Sequence, residues 1–205
     1  MGAEMGPGPD VEHHHHHQTG HRWLDITLAC SAVFISLMSL LLALQHGKAM
    51  EKMVEVSSWP YVWMDTWNSL EDGTPSVRVV IVNKGVGPAK VRSIEVFYHG
   101  AAQPDPDHLV AGMLKVPYPL PFKFMQSDVL DSVLSAREQI ALFQVSADRI
   151  APEQMRSLQH ETVNLDFRVC YCSVFDECSI WDSRVAAMTT STGKACPVPK
   201  TMFLH

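Results

Sequence analysis

The sequence lacks the excess of basic residues that nucleic-acid binding requires. It contains 16 Lys and Arg residues against 22 Asp and Glu residues, so its formal net charge is −6. A protein that neutralises nucleic-acid phosphates presents a basic face. We therefore predict no nucleic-acid partner.

Short catalytic motifs are also missing. The chain contains no Gly-x-Ser-x-Gly, His-Glu-x-x-His or Cys-x-x-Cys, the spacings that position a nucleophile, a zinc ion or a redox dithiol. His99, His108 and His160 lie near the ends of predicted elements or in loops, where surface histidines are commoner than ligands. We predict that the chain is not an enzyme and has no cofactor.

Four aspartates could bind calcium if they converged in space. They are Asp105, Asp107, Asp128 and Asp131. A calcium loop places its ligands around a glycine pivot, and these residues do not follow that spacing. We predict solvated loop charge and no metal site.

One long uncharged run, residues 26–44, contains 19 residues. At a rise of about 1.5 Å per residue, a helix of this length matches the hydrocarbon thickness of a bilayer. A cleaved signal peptide has an apolar stretch of roughly 7–15 residues after a basic start, whereas only Arg22 precedes this run as a strong base. We predict an uncleaved signal anchor, a single transmembrane helix over residues 23–45 in the cytoplasmic membrane.

The orientation of this helix is not decided by charge. Arg22 lies before it and Lys48 and Lys52 after it, a count that slightly favours a cytoplasmic C-terminal domain. A short tail before the helix and a long folded part after it are typical of signal anchors with the opposite orientation. We predict that the C-terminal domain lies outside the cytoplasm.

A stripe of small side chains follows one face of the predicted helix. Its members, spaced 3, 4, 3 and 4 residues apart, are Ala29, Ala32, Ser36, Ser39 and Ala43. Such a stripe lets a second helix approach closely. Chance is the alternative, because Thr27, Cys30 and Ser31 are also small and lie off the stripe. The predicted partners are the lipid bilayer and either a second copy or another protein, bound through this helix.

The remaining chain divides into three segments. Residues 1–22 are rich in Gly, Pro and His, so we predict a disordered tail, in which His13 to His17 are either native or a purification tag. Residues 46–57 contain helix formers and extend the anchor as a helical stalk. Residues 58–205 form the folded domain.

This domain has the sequence pattern of a mainly β structure. Apolar and polar residues alternate in residues 76–82 and 91–98, the period of a half-buried strand. The segment between these strands carries the turn residues Asn83, Gly85, Gly87 and Pro88. Asn and Gly tolerate positive φ, so we predict a β-hairpin here. Further strands are predicted over residues 59–67, 137–145, 162–172 and 178–184, and helical segments over 108–114 and 152–158.

The predicted first strand is rich in aromatic residues. Trp59, Tyr61, Trp63 and Trp67 share one face if the segment is extended. We predict that they pack in the core rather than form a ligand platform. Short strands with turn-rich connections predict an antiparallel, immunoglobulin-like β-sandwich behind the transmembrane α-helix.

Three segments resemble a known group of proteins. They are VIVNKGVGPAKVRSIEV, SAREQIALFQV and VCYCSVFDEC. They resemble segments of uncharacterised bacterial single-pass membrane proteins, and the first also resembles immunoglobulin-like modules related to cell adhesion. The resemblance implies a sandwich on a single span. It implies no chemistry, because such modules carry unrelated functions.

Four cysteines lie outside the span: Cys170, Cys172, Cys178 and Cys196. Two residues that are two apart on a strand point to the same face, and the reversal after Cys172 can bring Cys178 opposite it. The preferred disulfides are Cys172 with Cys178 and Cys170 with Cys196, although four cysteines allow three connectivities. A four-cysteine zinc site is the alternative, but the spacing Cys-x-Cys-x5-Cys-x17-Cys fits zinc knuckles poorly.

The leading functional prediction is a membrane-anchored module with a structural or protein-interaction role. One alternative is a cysteine-based redox or metal-binding module. A second is an enzyme whose site is assembled from residues distant in sequence.

Overall fold

The computed structural model describes residues 22–185 and 190–204. The chain divides into two compact units, an N-terminal one that ends at Glu51 and a C-terminal one that starts at Lys52. Of the predicted tail over residues 1–22, residues 1–21, including His13 to His17, lie outside the described residues, and Arg22 is the first residue of a helix.

The first helix, α1 (Arg22–Ser57), contains 36 residues. Its most apolar window has a mean hydropathy of 2.3, and none of its residues is buried. The Ser36 hydroxyl donates a hydrogen bond to the Ala32 carbonyl at 2.8 Å, which satisfies a polar group on an apolar helix. The helix is long and apolar enough to cross a membrane.

Two antiparallel sheets form the C-terminal unit. The first contains, in spatial order, β1 (Val62–Ser69), β2 (Pro75–Asn83), β7 (Gln139–Ser146) and β5 (Met125–Gln126). The second contains β10 (Thr190–Gly193), β9 (Cys178–Asp182), β8 (Leu165–Cys172), β3 (Ala89–Tyr98) and β4 (Ala101–Gln103). A short strand, β6 (Val133–Leu134), pairs with the start of β3.

Two short helices accompany the sheets. The α2 helix (Pro106–Leu114) and the α3 helix (Pro152–Glu161) both begin with proline, whose fixed φ suits the first helical position. The Asp105 carboxylate accepts the His108 backbone N–H at 2.8 Å and caps α2. A 3₁₀ turn (Thr162–Asn164) leads from α3 into β8.

One hydrophobic core joins both sheets and both short helices. Fully buried residues include Val62, Ile81, Leu109, Phe143, Leu158, Val169 and Tyr171. The predicted order of a long apolar helix followed by a mainly β domain is confirmed.

The predicted β-hairpin between β2 and β3 is wrong. The β2 strand pairs with β1 and β7, whereas β3 lies in the other sheet, so residues 84–88 cross from one sheet to the other. Neither Gly85 nor Gly87 has a positive φ. They are glycines because a Cβ would overlap backbone atoms, of Tyr61 and Trp59 at Gly85 and of Ser58 at Gly87.

The predicted core packing of the aromatic residues in the first strand holds only in part. Val62 and Met64 are buried on β1, at 0% and 3% exposure, whereas Trp59 precedes the strand and is 61% exposed. Alternation puts Trp63 on the opposite face, where Lys84 Nζ lies 3.5 Å from its ring centre. The aliphatic residues of β1 fill the core, and Trp63 is partly buried and packs at its edge, with its ring centre 6.1 Å from that of Trp181.

Candidate functional site

The strand β8 is buried on both faces, and this double burial creates the candidate site. Val169 and Tyr171 pack in the main core. The alternate residues, Cys170 and Cys172, point to the other face, where they form a second cluster with Cys178, and Ile180 and Cys196 pack against it.

Two disulfides connect this cluster. Cys172 lies directly opposite Cys178 in the β8–β9 register, and their sulfurs are bonded at 2.06 Å. Cys170 is bonded to Cys196 of the C-terminal segment at 2.02 Å. These are the two pairs preferred from the sequence, while Cys30 lies exposed on α1.

The two disulfides are in contact with each other. Cys172 Sγ lies 3.9 Å from Cys196 Sγ, although the two atoms belong to different disulfides. The sulfurs of Cys172, Cys178 and Cys196 all lie within 4.8 Å of one another. Among the described residues, these three form the group of His, Cys, Asp or Glu side chains that are close enough together to hold a metal ion. Zinc binds cysteine as the thiolate. These sulfurs could therefore act as zinc ligands only after reduction of both disulfides.

A surface groove opens beside these sulfurs. Its volume is about 340 Å³. The lining includes Cys172, Cys178, Cys196, Arg92, Asp176 and Lys194. Cys170 is 2% exposed and is not among the described lining residues. Cys196 is partly exposed, whereas Cys172 and Cys178 border the groove from buried positions, at 4% and 1% exposure.

Two of the charged residues that line the groove, Asp176 and Arg92, form ion pairs with residues outside the lining. Lys90 Nζ lies 3.0 Å from Asp176 Oδ1, and Arg92 Nη1 lies 2.9 Å from Asp131 Oδ1. The hydrogen bond from Lys90 holds the pKa of Asp176 below its ordinary value, and Lys194 acts in the same direction. The charged residues in the lining of the groove are two bases, Arg92 and Lys194, and one acid, Asp176.

The C-terminal segment, residues 194–204, is held to the domain at two points. Cys196 ties it to β8, and the Phe203 side chain is buried in the main core at 5% exposure. The Phe203 N–H donates to the Ile94 carbonyl, and the Leu204 N–H to the Pro104 carbonyl, both at 2.8 Å. The segment therefore forms a strap across the second sheet.

A second groove, of about 290 Å³, is lined by aromatic residues that include Trp59, Tyr171 and Phe175. The Tyr171 side chain is 1% exposed, and its hydroxyl forms no hydrogen bond of ordinary geometry within the described residues. Burial raises the pKa of this phenol to about 12, against a weak opposing contact with the Val62 backbone. A buried hydroxyl without a partner is costly and favours a bound polar group.

Asn83 is a structural residue at the crossover between the sheets. It is fully buried. Its amide nitrogen donates to the Gly87 carbonyl at 2.8 Å and to the Ser135 carbonyl at 3.1 Å. Its oxygen accepts the N–H groups of Tyr61 and Gly85 at 3.2 and 3.0 Å. Asn83 thus replaces the backbone hydrogen bonds that a hairpin would have supplied, and Pro88 ends the crossover.

The predicted calcium candidates serve local structure. Asp105 caps α2 and contacts His108 Nδ1 at 2.6 Å, while Asp107 accepts a hydrogen bond from Gln126 at 3.2 Å. Asp131 pairs with Arg92, and Asp128 accepts the Leu130 N–H at 3.1 Å.

The three histidines are also dispersed. His99 Nε2 lies 3.6 Å from Glu161 Oε2. His108 stacks on Tyr118 with ring centres 4.2 Å apart. His160 lies exposed near the end of α3.

Sequence reasoning missed one charged cluster. Asp182 is 7% exposed, and its carboxylate accepts hydrogen bonds from Arg168 Nε at 2.9 Å and Arg184 Nη2 at 2.7 Å. Burial alone would raise the pKa of Asp182, but the hydrogen bonds from the two arginines outweigh it and lower the pKa to about 2. The alternation of β8 and β9 places Arg168 opposite Asp182, so the correct register would have predicted the pair.

The predicted packing stripe lies on the exposed surface of α1. Its members are Ala29, Ala32, Ser36, Ser39 and Ala43. No protein-family model, curated protein or solved structure matches the chain.

Proposed function

We propose that α1 anchors the β domain in the cytoplasmic membrane as a single-pass protein, and that the domain has a structural or protein-interaction role outside the cytoplasm. The observation that carries this proposal is the uncovered apolar surface of α1. Large side chains such as Phe34, Leu37 and Leu41 are 65%, 57% and 51% exposed. Soluble monomers rarely expose contiguous apolar patches of this size, and a bilayer would cover them.

The cysteine pairs support the orientation. Structural disulfides persist in oxidising compartments and are rare in the cytoplasm. Two of them join β8 to β9 and to the C-terminal segment. An extracytoplasmic domain would keep both bonds.

The connectivity supports an immunoglobulin-like sandwich. The chain crosses between sheets after β2, and both sheets contribute to one core. Two antiparallel sheets around one core, with connections that switch sheets, are typical of sandwich domains. Such domains commonly present binding surfaces.

The aromatic groove supports an interaction role. Trp59 and Phe175, which line it, are 61% and 47% exposed. Exposed aromatic residues are enriched at protein interfaces.

Cysteine labelling in intact cells tests the topology. A membrane-impermeant maleimide is applied to cells that express a Cys30→Ser variant, so that only the four domain cysteines can react. We expect labelling from outside after mild reduction and none before it, because the disulfides protect the sulfurs. Labelling that requires lysis but no reductant would contradict the proposal and would place the domain in the cytoplasm.

A further inference from the structure

We propose that the two disulfides form a single thiol–disulfide exchange site that reacts with a small thiol entering the groove beside them. In the reaction, the disulfide partner of Cys196 changes from Cys170 to Cys172. This activity goes beyond a structural or interaction role, and it does not depend on the orientation of the chain in a membrane.

The distance between the two disulfides is the first argument. Exchange proceeds when a thiolate attacks one sulfur of a disulfide and displaces the other. Cys172 Sγ is 3.9 Å from Cys196 Sγ, so a thiolate at Cys172 would already touch the sulfur that it attacks. No rearrangement of β8 is needed to bring the two atoms together.

Access is the second argument. The groove of about 340 Å³ is lined by Cys172, Cys178 and Cys196, and it has room for a low-molecular-weight thiol. Cys178 is 1% exposed, so the thiol reaches its sulfur when the turn between β8 and β9 opens locally. Arg92 and Lys194 also line it. Positive charge favours the thiolate form of a cysteine, and it attracts a thiol that carries a carboxylate.

The first reaction leaves the number of thiolates and the number of disulfide bonds unchanged. The entering thiolate attacks Cys178 Sγ, forms a mixed disulfide with it and displaces Cys172 as a thiolate. The Cys172 thiolate attacks Cys196 Sγ, forms the Cys172–Cys196 bond and displaces Cys170. One thiolate is consumed and one is released, and two sulfur–sulfur bonds exist before and after.

A second molecule of the thiol completes the reaction. It attacks the outer sulfur of the mixed disulfide, leaves as a small-molecule disulfide and releases Cys178 as a thiolate. Two small thiols are then oxidised, and the protein has gained two electrons. The product holds Cys172–Cys196, with free thiols at Cys170 and Cys178.

The fold tolerates this change because the attachment point moves along one face of one strand. Cys170 and Cys172 are two residues apart on β8 and share a face, so the shift is about 7 Å along the strand. The C-terminal strap stays attached to β8 through Cys196. Its other end remains held by Phe203 in the core.

Limited reduction of the full-length protein tests the proposal. The Cys30→Ser variant in detergent is treated with substoichiometric reduced glutathione, quenched with acid, alkylated with N-ethylmaleimide and digested without reduction. Trypsin gives a peptide over residues 169–184 and another over 195–200, and fragmentation shows which cysteine is alkylated. We expect alkylation of Cys170 and Cys178, with a Cys172–Cys196 link, in most molecules that have lost one disulfide. Predominance of any other single linkage would overturn the proposal.

Two matched variants provide a test that needs no added thiol. Cys178→Ser and Cys172→Ser each remove the same cross-strand disulfide, so their cost to folding is comparable. Cys178→Ser leaves the Cys172 thiol beside Cys196, and we expect Cys170 to become alkylated several-fold more than in Cys172→Ser. Equal alkylation of Cys170 in the two variants would show that Cys172 does not carry the exchange.

Discussion

At the scale of single residues, the absence of a side chain at Gly87 decides a chain crossing. A Cβ at this position would overlap the backbone of Ser58, which cannot move as a flexible side chain can. The close approach also lets Asn83 donate its hydrogen bond to the Gly87 carbonyl. Glycine is required here for space and not for its φ angle.

Replacing Gly87 with alanine should therefore destabilise the domain. We expect Gly87→Ala to lower the free energy of unfolding by about 1–3 kcal/mol, because the backbone must shift to admit the methyl group. Urea denaturation followed by tryptophan fluorescence measures the change.

Gly112→Ala is the control for this substitution. A Cβ at Gly112 would contact the Tyr98 ring at 3.8 Å, an ordinary van der Waals distance, within the helix α2. Its stability should be equal to that of the wild type or higher, since alanine favours a helix over glycine by about 1 kcal/mol. Equal losses in the two variants would contradict the steric argument.

The two corrected predictions share one physical origin at this scale. The Asn-Lys-Gly-Val-Gly-Pro segment has turn composition, but composition does not distinguish a hairpin from a crossing between sheets. The aromatic residues of β1 alternate as predicted, yet alternation does not say which face is buried. Val62 and Met64 occupy the core. Which face of β1 is buried depends on the position of the second sheet, which local sequence does not specify.

At the scale of elements, the long strands with a regular hydrophobic pattern were predictable from the sequence, and the two-residue strands were not. The strands β2, β3 and β7 lie where periodicity places them, within a few residues. In contrast, β5 and β6 contain two residues each. A two-residue strand has no period, because it is defined by its neighbour in space.

The helix α1 supports a prediction at the same scale. If its small-residue stripe packs against a second copy, replacing Ser36 and Ser39 together with leucine should separate the helices. We expect loss of the dimer in a detergent that preserves association, measured by crosslinking or sedimentation. The control is Ser31→Leu, which adds the same side chain off the stripe. An unchanged dimer in the double variant would count against packing through this face.

At the scale of the whole molecule, stability should depend on pH at both extremes. The pKa of Asp182 falls to about 2 in the folded state, below the value of about 3.9 expected for an unfolded chain. Its contribution is present above pH 4 and is lost as the pH falls towards 2, and we expect it to be about 2–3 kcal/mol. The variant Asp182→Asn should lose this part of the acid dependence, and an unchanged acid profile would exclude the mechanism.

The alkaline limit has a different source. Burial, followed by a hydrogen bond to Glu161, raises the pKa of Tyr98 to about 12, and burial raises that of Tyr171 to about 12. Both phenols stay protonated in the folded state, while an unfolded chain releases these protons near pH 10. Stability should therefore fall as the pH rises above about 10. Urea midpoints across a pH series measure both limits.

The candidate site was predictable only in part. Cysteine spacing on a strand and the reversal after Cys172 favour the pairs that the structure contains. The contact between the pairs was not predictable, because it depends on where the C-terminal segment places Cys196. Nothing in local sequence connects that segment with the outer face of β8.

The double burial of β8 has a consequence for how the chain is made. The partner of Cys172, Cys178, follows six residues later, whereas the partner of Cys170, Cys196, follows only after 26 residues. During synthesis the outer face of β8 thus stays open until residue 196 has emerged. In that interval an oxidant can react with the thiol of either Cys170 or Cys172. A chain that forms a non-native disulfide in this cluster also contains, in the same cluster, the cysteines that can replace it by exchange.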